Sequence, residues 1–170
     1  MDAFLAIVSK RDQRQYAERP IPEEIVRRIL DSGRLAGSAA NRQPWRFFVL
    51  ENRELLRQVA ENVYVPDNLL GARLVVAVTV QGKGPVQFDA GRAVQNMMIA
   101  AWNEGVVSCP NGIVDAEKTA ELLGLGEEER PVVVISFGYP TRPRDPESRS
   151  PEEWIERANR KPFEEVVQRL

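Results

Sequence analysis

Four short stretches carry residue types that could do chemistry. The block Ser38-Ala39-Ala40-Asn41-Arg42-Gln43-Pro44-Trp45-Arg46-Phe47 sets small and amide side chains directly before an apolar run. Amides in such a loop suit the hydrogen-bonding edge of a flat heterocycle held beside a sheet. Lys10-Arg11-Asp12-Gln13-Arg14 places three cations within five residues. That density suits a phosphate dianion, which takes charge-assisted hydrogen bonds from guanidinium and ammonium groups. A solvated basic turn is the alternative reading. Asn159-Arg160-Lys161-Pro162-Phe163 offers a second pair of cations, where a basic helix end would also be favoured by the macrodipole. The fourth stretch, residues 88–112, contains Asp89-x-Gly91-x-Ala93-x-Gln95-Asn96-Met97 and then Glu104-Gly105-Val106-Val107-Ser108-Cys109-Pro110-Asn111-Gly112. Gly112 would let a ligand approach the backbone closely. Gln95 and Asn96 read as polar groups that pack a helix, and Cys109 as a small buried hydrophobe.

The elements that must position these residues follow from caps and periodicity. Asp2 caps a helix over 3–9, and Lys10 begins a basic connector. Pro22 opens a second helix with Glu23 and Glu24 at its positive end, and Ile25, Val26, Ile29 and Leu30 form its buried face. Residues 46–50 read as a strand, and Asn52 caps a helix over 53–62. Residues 74–80, rich in Val, predict a central strand. Residues 88–104 predict a long, mostly buried helix. Asp115 caps a helix over 116–123, with Gly124 as its stop, and residues 131–137 predict a second central strand. Ser150 and Glu153 have capping-box spacing for a last helix to about residue 158. No repeat or boundary divides residues 1–170, so a single domain is expected. Parallel crossovers do not account for every step, which favours an α+β class.

Composition removes several functions. The chain of 170 residues contains no histidine and one cysteine. Ser-His-Asp and Cys-His catalysis are excluded, as is every common zinc site. Difficult chemistry would then belong to a bound cofactor. A net charge of -2 argues against a nucleic-acid binder that relies on a basic face. No apolar run approaches the ~20 residues that span a bilayer. No signal peptide is visible, and a lone cysteine fits a reducing cytoplasm. Gly82-x-Gly84 has Gln87 where a dinucleotide fingerprint needs its third glycine.

Together the motifs carry a resemblance. The 38–47 block resembles the Ser-x-x-Asn-x-Gln-Pro-Trp-x-Phe signature of the FMN-dependent nitroreductase family. Residues 89–97 resemble its Asp-x-Gly-x-Ala-x-Gln-Asn-Leu helix, and residues 104–112 its Leu-Gly-x-x-Thr-Cys-x-x-Gly turn. Leu122-Leu123-Gly124-Leu125 and residues 132–140 are similar to its Leu-Gly-Ile-Pro and final Gly-Tyr-Pro strand. Arg160-Lys161-Pro162 resembles the Arg-Lys-Pro that closes many of its chains. The likeness runs from residue 10 to residue 167.

That resemblance implies a nitroreductase-like fold: a central, mostly antiparallel sheet flanked by helices, in a homodimer joined through long helices with FMN at the interface. Lys10, Arg11 and Arg14 would reach the phosphate and the N1–O2 edge of the flavin, and Arg160 and Lys161 would complete the phosphate site. Ser38, Asn41 and Gln43 would line the ring of the flavin held mainly by the other subunit. Asn111 and Gly112 would sit near N5, with a backbone N–H aimed at it. A cation near N1–O2 makes sense because reduced flavin carries negative charge there. The implied activity is ping-pong transfer from NADH or NADPH, through flavin N5, to a nitroaromatic, quinone or similar acceptor. No side-chain acid or base is obligatory for it. The alternatives are other flavin chemistry (reductive dehalogenation or dehydrogenation) and a non-catalytic FMN store or sensor. Three departures stand out: Asp12 where the family often has Ser, Gly37 where it often has Pro, and a connection of only residues 81–86 where longer relatives insert a helical hairpin over the flavin. The short connection implies an open pocket or one closed by the partner chain.

Overall fold

Eight residues, Leu74–Gln81, form strand β2, and all but the last are buried. Such a Val-rich run, apolar on both faces, belongs in the middle of a sheet. In the computed structural model, which describes residues 1–170, β2 pairs with β1 (Trp45–Val49) on one side and β4 (Glu129–Gly138) on the other. β3 (Val107–Asn111) pairs with the far side of β4, giving the order β1-β2-β4-β3 with every pair antiparallel. The expected α+β class is present. The chain divides into two compact units, residues 11–143 and residues 1–10 with 144–170.

Within the larger unit, alternation along each strand sends residues to two faces. Val76, Val78, Val80, Ile135 and Phe137 share one face and pack with Ile29 of α2 (Glu23–Arg34) and Ala90, Met97 and Ala101 of α5 (Val86–Asn103). Gly33 of α2 lets these two helices close: a Cβ there would lie 2.7 Å from the Met97 side chain. Elsewhere α3 (Arg53–Ala60), α4 (Asp67–Leu70) and α6 (Ala116–Leu122) pack together, with α4 and α6 against β4. The predicted caps form: Asn52 Oδ1 accepts from the amides of Glu54 and Leu55, and Asp115 Oδ1 from that of Lys118. Gly124 stops α6 at φ +64°.

Strand β3 corrects the expectation that residues 104–112 form a turn. Gly105, at φ +73°, makes the turn, and the chain then runs straight along β4. Ser108, Pro110 and Asn111 hide the strand, because all three are poor β formers. A proline fits here because β3 is an edge strand, whose outward N–H needs no partner. The long helix is also less buried than expected, with Phe88, Gly91, Arg92, Gln95 and Asn96 exposed on one face.

In the unit built from the chain ends, α1 (Ala3–Ser9) packs on α7 (Pro151–Glu156). Both predicted caps are made: Asp2 accepts from the amide of Leu5, and Ser150 and Glu153 form a reciprocal capping box. Trp154 donates its indole N–H to the Pro146 carbonyl at 2.8 Å. A four-residue helix, α8 (Phe163–Val166), follows Pro162.

One polar tie crosses three strands. Val78 faces Val133, but Thr79 faces Pro131, so Val132 is an extra residue in β4. That bulge shifts the alternation and brings Glu129 to the face of Thr79. The Thr79 hydroxyl hydrogen-bonds Glu129, and Arg46 of β1 pairs with the same carboxylate at 2.7 Å. Glu129→Ala would leave the buried Thr79 hydroxyl without its acceptor, while the exposed Arg46 guanidinium stays solvated. It should cost about 1–2 kcal/mol in urea unfolding, and Glu129→Gln less, since Gln still accepts from Thr79. Equal losses for the two variants would show that the hydrogen bond to Thr79 contributes nothing.

Candidate functional site

The loop before β1 holds an uncommon backbone. Ala40, Asn41 and Gln43 have φ of +50°, +53° and +50°, the left-handed region that costs a residue other than glycine roughly 1 kcal/mol. Short internal bonds shape it. The amide of Asn41 donates to the Ser38 carbonyl at 3.0 Å, and that of Gln43 to Ser38 Oγ at 2.9 Å. Gln43 Nε2 also reaches the Asn41 carbonyl at 3.2 Å. The result turns Asn41 and Gln43 outward and leaves Ser38 half-buried. Ser38, Asn41 and Gln43 are therefore brought together in one turn.

Helix α5 forms the bed of this loop. Ala36 and Trp45, at the loop's two ends, cluster with Ala93. One turn earlier, the buried Asp89 carboxylate accepts the amide of Ala39 at 3.0 Å. Between them Arg92 lies against Gly37, where any Cβ would overlap the guanidinium. The Arg92 guanidinium is the mobile end of a half-exposed side chain, so this contact does not by itself require glycine. Asp89, Arg92 and Ala93 lie on one stripe of the helix, which is why their spacing matters.

A second cluster lies at the other edge of the sheet. The amide of Gln13 donates to the Ser108 carbonyl of β3 at 3.1 Å, laying the Arg11–Arg14 stretch beside that strand. Arg11 is half-buried and Arg14 exposed. Tyr16 bridges to Pro140, and its hydroxyl lies 2.9 Å from the Gln13 carbonyl and 2.8 Å from Ser136 Oγ. Ser136 Oγ donates to the Cys109 carbonyl at 3.2 Å. Asn111 Nδ2 shares its protons among Ser136 Oγ and the carbonyls of Val134 and Cys109, while Asn68 donates to Asn111 Oδ1 at 2.8 Å. The side chain of Asn111 therefore points inward, and Gly112 is the residue left at the surface.

Burial raises the Tyr16 phenol above its ordinary range; the hydrogen bond with Ser136 pulls it down by less. Cys109 and Asp12 push it further up, and Arg14 opposes them. The neutral phenol is thus the form the fold keeps.

Tyr64 is a site neighbour that sequence reasoning missed. Its amide donates to the Gly112 carbonyl at 3.2 Å. A Cβ on Gly112 would sit 3.0 Å from its ring, which is 76% exposed. An exposed aromatic beside Gly112 is legible only once the bridge between Val63 and Ile113 is known.

The remaining cations belong to the chain-end unit. Lys10 ends α1, its amide bonded to the Ala6 carbonyl. Arg160 and Lys161 are exposed just after Asn159, a residue at φ +50° that turns the chain out of α7. Arg160 Nη1 caps the Ala158 carbonyl at 3.2 Å.

With this geometry in view, comparison with known proteins decides the family. A model of the Nitroreductase family matches residues 7–66 and 67–139. The chain belongs to that family. A relative from Archaeoglobus fulgidus, named "Putative NADH dehydrogenase/NAD(P)H nitroreductase", is 32% identical over 149 residues, covering 82% of this chain and 86% of its own. Among solved structures, a nitroreductase family protein from Clostridium difficile 630 superposes with a TM-score of 0.83 at 22% identity, covering 99% of this chain and 98% of that one. An FMN-dependent nitroreductase from Clostridium difficile R20291 gives 0.74 at 22% identity, covering 85% and 90%. In these nitroreductase relatives the fold is the shared feature; the local chemistry of this chain rests on its own residues.

Tyr16→Phe tests the buried chain of hydroxyls and amides. It should cost about 1–2 kcal/mol. The wild type should lose stability as pH rises beyond about 10, because the unfolded phenol ionises there while the folded one resists. Unfolding followed between neutral and strongly alkaline pH should show that loss shrinking in Tyr16→Phe; an unchanged alkaline profile would remove Tyr16 from the network.

Proposed function

We propose that this nitroreductase-family chain is an FMN-dependent NAD(P)H oxidoreductase acting as a homodimer. The observation that carries the reading is the strained loop of Ser38–Gln43, which holds two amides outward at a conformational cost. Backbone strain of that kind is usual where a ligand is received. The residues fit the cofactor. Asn41 and Gln43 can donate to and accept from a ring edge, and Ser38 Oγ holds them in place. Gly112 presents backbone with no side chain of its own, and the buried amide of Asn111 fixes where that backbone stands. The family resemblance proposes Lys10, Arg11 and Arg14 for the phosphate and the N1–O2 edge, and Arg160 and Lys161 for the phosphate.

When bound, FMN supplies the redox step between NAD(P)H and an acceptor such as a quinone or nitroaromatic. The chain's part is to bind, orient and shield. Its cations compensate charge, its loop fixes the ring plane, and Tyr64 gives the Gly112 side an apolar aromatic wall for a flat acceptor. No acid or base is asked of a chain without histidine.

The sheet supports the dimer. The loop leads into β1 and Gly112 follows β3, so the two walls stand on opposite edges of a four-stranded sheet. Three strand spacings, about 14 Å, separate those edges. That separation favours walls that serve different flavins, each completed by a second copy.

The purified protein should be yellow and release FMN on denaturation. It should oxidise NADH or NADPH with menadione as acceptor; a protein that holds FMN but shows no such oxidation would be a store or sensor. Arg160→Ala combined with Lys161→Ala should weaken FMN binding about tenfold or more and flatten its salt dependence. Unchanged FMN retention in that variant would assign both cations to solvent.

A further inference from the structure

Asp89 lies in the first turn of α5 with its side chain 3% exposed. Its Oδ2 accepts the Ala39 amide at 3.0 Å, and its Oδ1 stands 3.9 Å from Arg92 Nη1. Every other hydrogen bond made within Ser38–Gln43 stays inside the loop. The Asp89 carboxylate is thus the one hydrogen-bonding tether between this strained turn and the body of the protein. A charged acceptor makes that tether stronger than a neutral one.

We infer that Asp89 is a positioning residue: it fixes the Ser38–Gln43 turn in its left-handed shape before the flavin ring arrives, and so sets how fast and how tightly the ring is taken. This rests on the proposal that the loop faces FMN. The loop's internal hydrogen bonds only about offset the cost of left-handed Ala40, Asn41 and Gln43, so the shape needs an outside hold. With the tether in place, the loop need not be ordered at the moment of binding, and that ordering cost is removed from the affinity. The competing account is an ordinary helix acid that favours the α5 N-terminus by its charge alone. The two differ in what a neutral acceptor does. Asn at position 89 keeps an oxygen for the Ala39 amide but abolishes the charge.

The test measures amide hydrogen exchange across residues 38–43 in the flavin-free full-length protein, and FMN association by quenching of flavin fluorescence. Asp89→Ala should speed exchange in the loop about tenfold while leaving the rest of α5 unchanged. It should also weaken FMN binding about tenfold, chiefly through slower association. Asp89→Asn should restore most of both. In an Asn41→Ala, Gln43→Ala background, Asp89→Ala should add little further loss, because the side chains it positions are gone. Unchanged loop exchange in Asp89→Ala, equal damage from Asn and Ala, or a fully additive loss in that background would each overturn the inference. If the wild type takes no FMN at all, the proposed function fails, and loop exchange alone then decides whether Asp89 holds the turn.

Discussion

The buried chain Tyr16–Ser136–Asn111–Asn68 is the constraint on which the β3 edge depends. Each member is a polar group taken out of water, and leaving one unpartnered costs about 1–3 kcal/mol. Because Ser136 serves Tyr16, Asn111 and the Cys109 carbonyl together, loss of one member exposes the others to that penalty. The chain also joins segments far apart in sequence: the basic connector, the last part of β4, the end of β3 and α4. Gly138 is part of the same arrangement, since a Cβ there would lie 2.7 Å from the Tyr16 side chain. Such a network holds the backbone of that edge still.

The loop at the other edge is governed by a closer balance. Three left-handed residues cost roughly 1 kcal/mol each, and the internal hydrogen bonds return about 1 kcal/mol each. The two sums nearly cancel. Which shape prevails is then decided by contacts with α5, at Ala93, Arg92 and Asp89. Packing fixes the loop's ends and a single carboxylate fixes its middle.

Much of this was legible in the chain. The helices beginning at Ala3, Arg53, Ala116 and Pro151 start where Asp2, Asn52, Asp115 and Ser150 can cap them, because a side-chain oxygen beside free amides is a local signal. The central strands showed as Val-rich runs. β3 was concealed because pairing with β4, not propensity, makes it a strand. The Ser38–Gln43 motif was visible, but its positive φ values were not, since Ala40 and Gln43 give no sign of a conformation imposed by a distant helix. The inward turn of Asn111 and the neighbourhood of Tyr64 both depend on contacts between segments remote in sequence.

The placement of the two walls has a consequence for the protein as a population of molecules. On the proposed reading, a chain with one wall on each edge carries two halves of two different sites and no whole one. Competence would then follow mass action, rising with the square of concentration where monomers predominate. Cofactor and partner would be linked as well, each raising the apparent affinity for the other without a separate regulatory element. The width of a four-stranded sheet, by keeping the walls apart, would make catalysis a property of the pair.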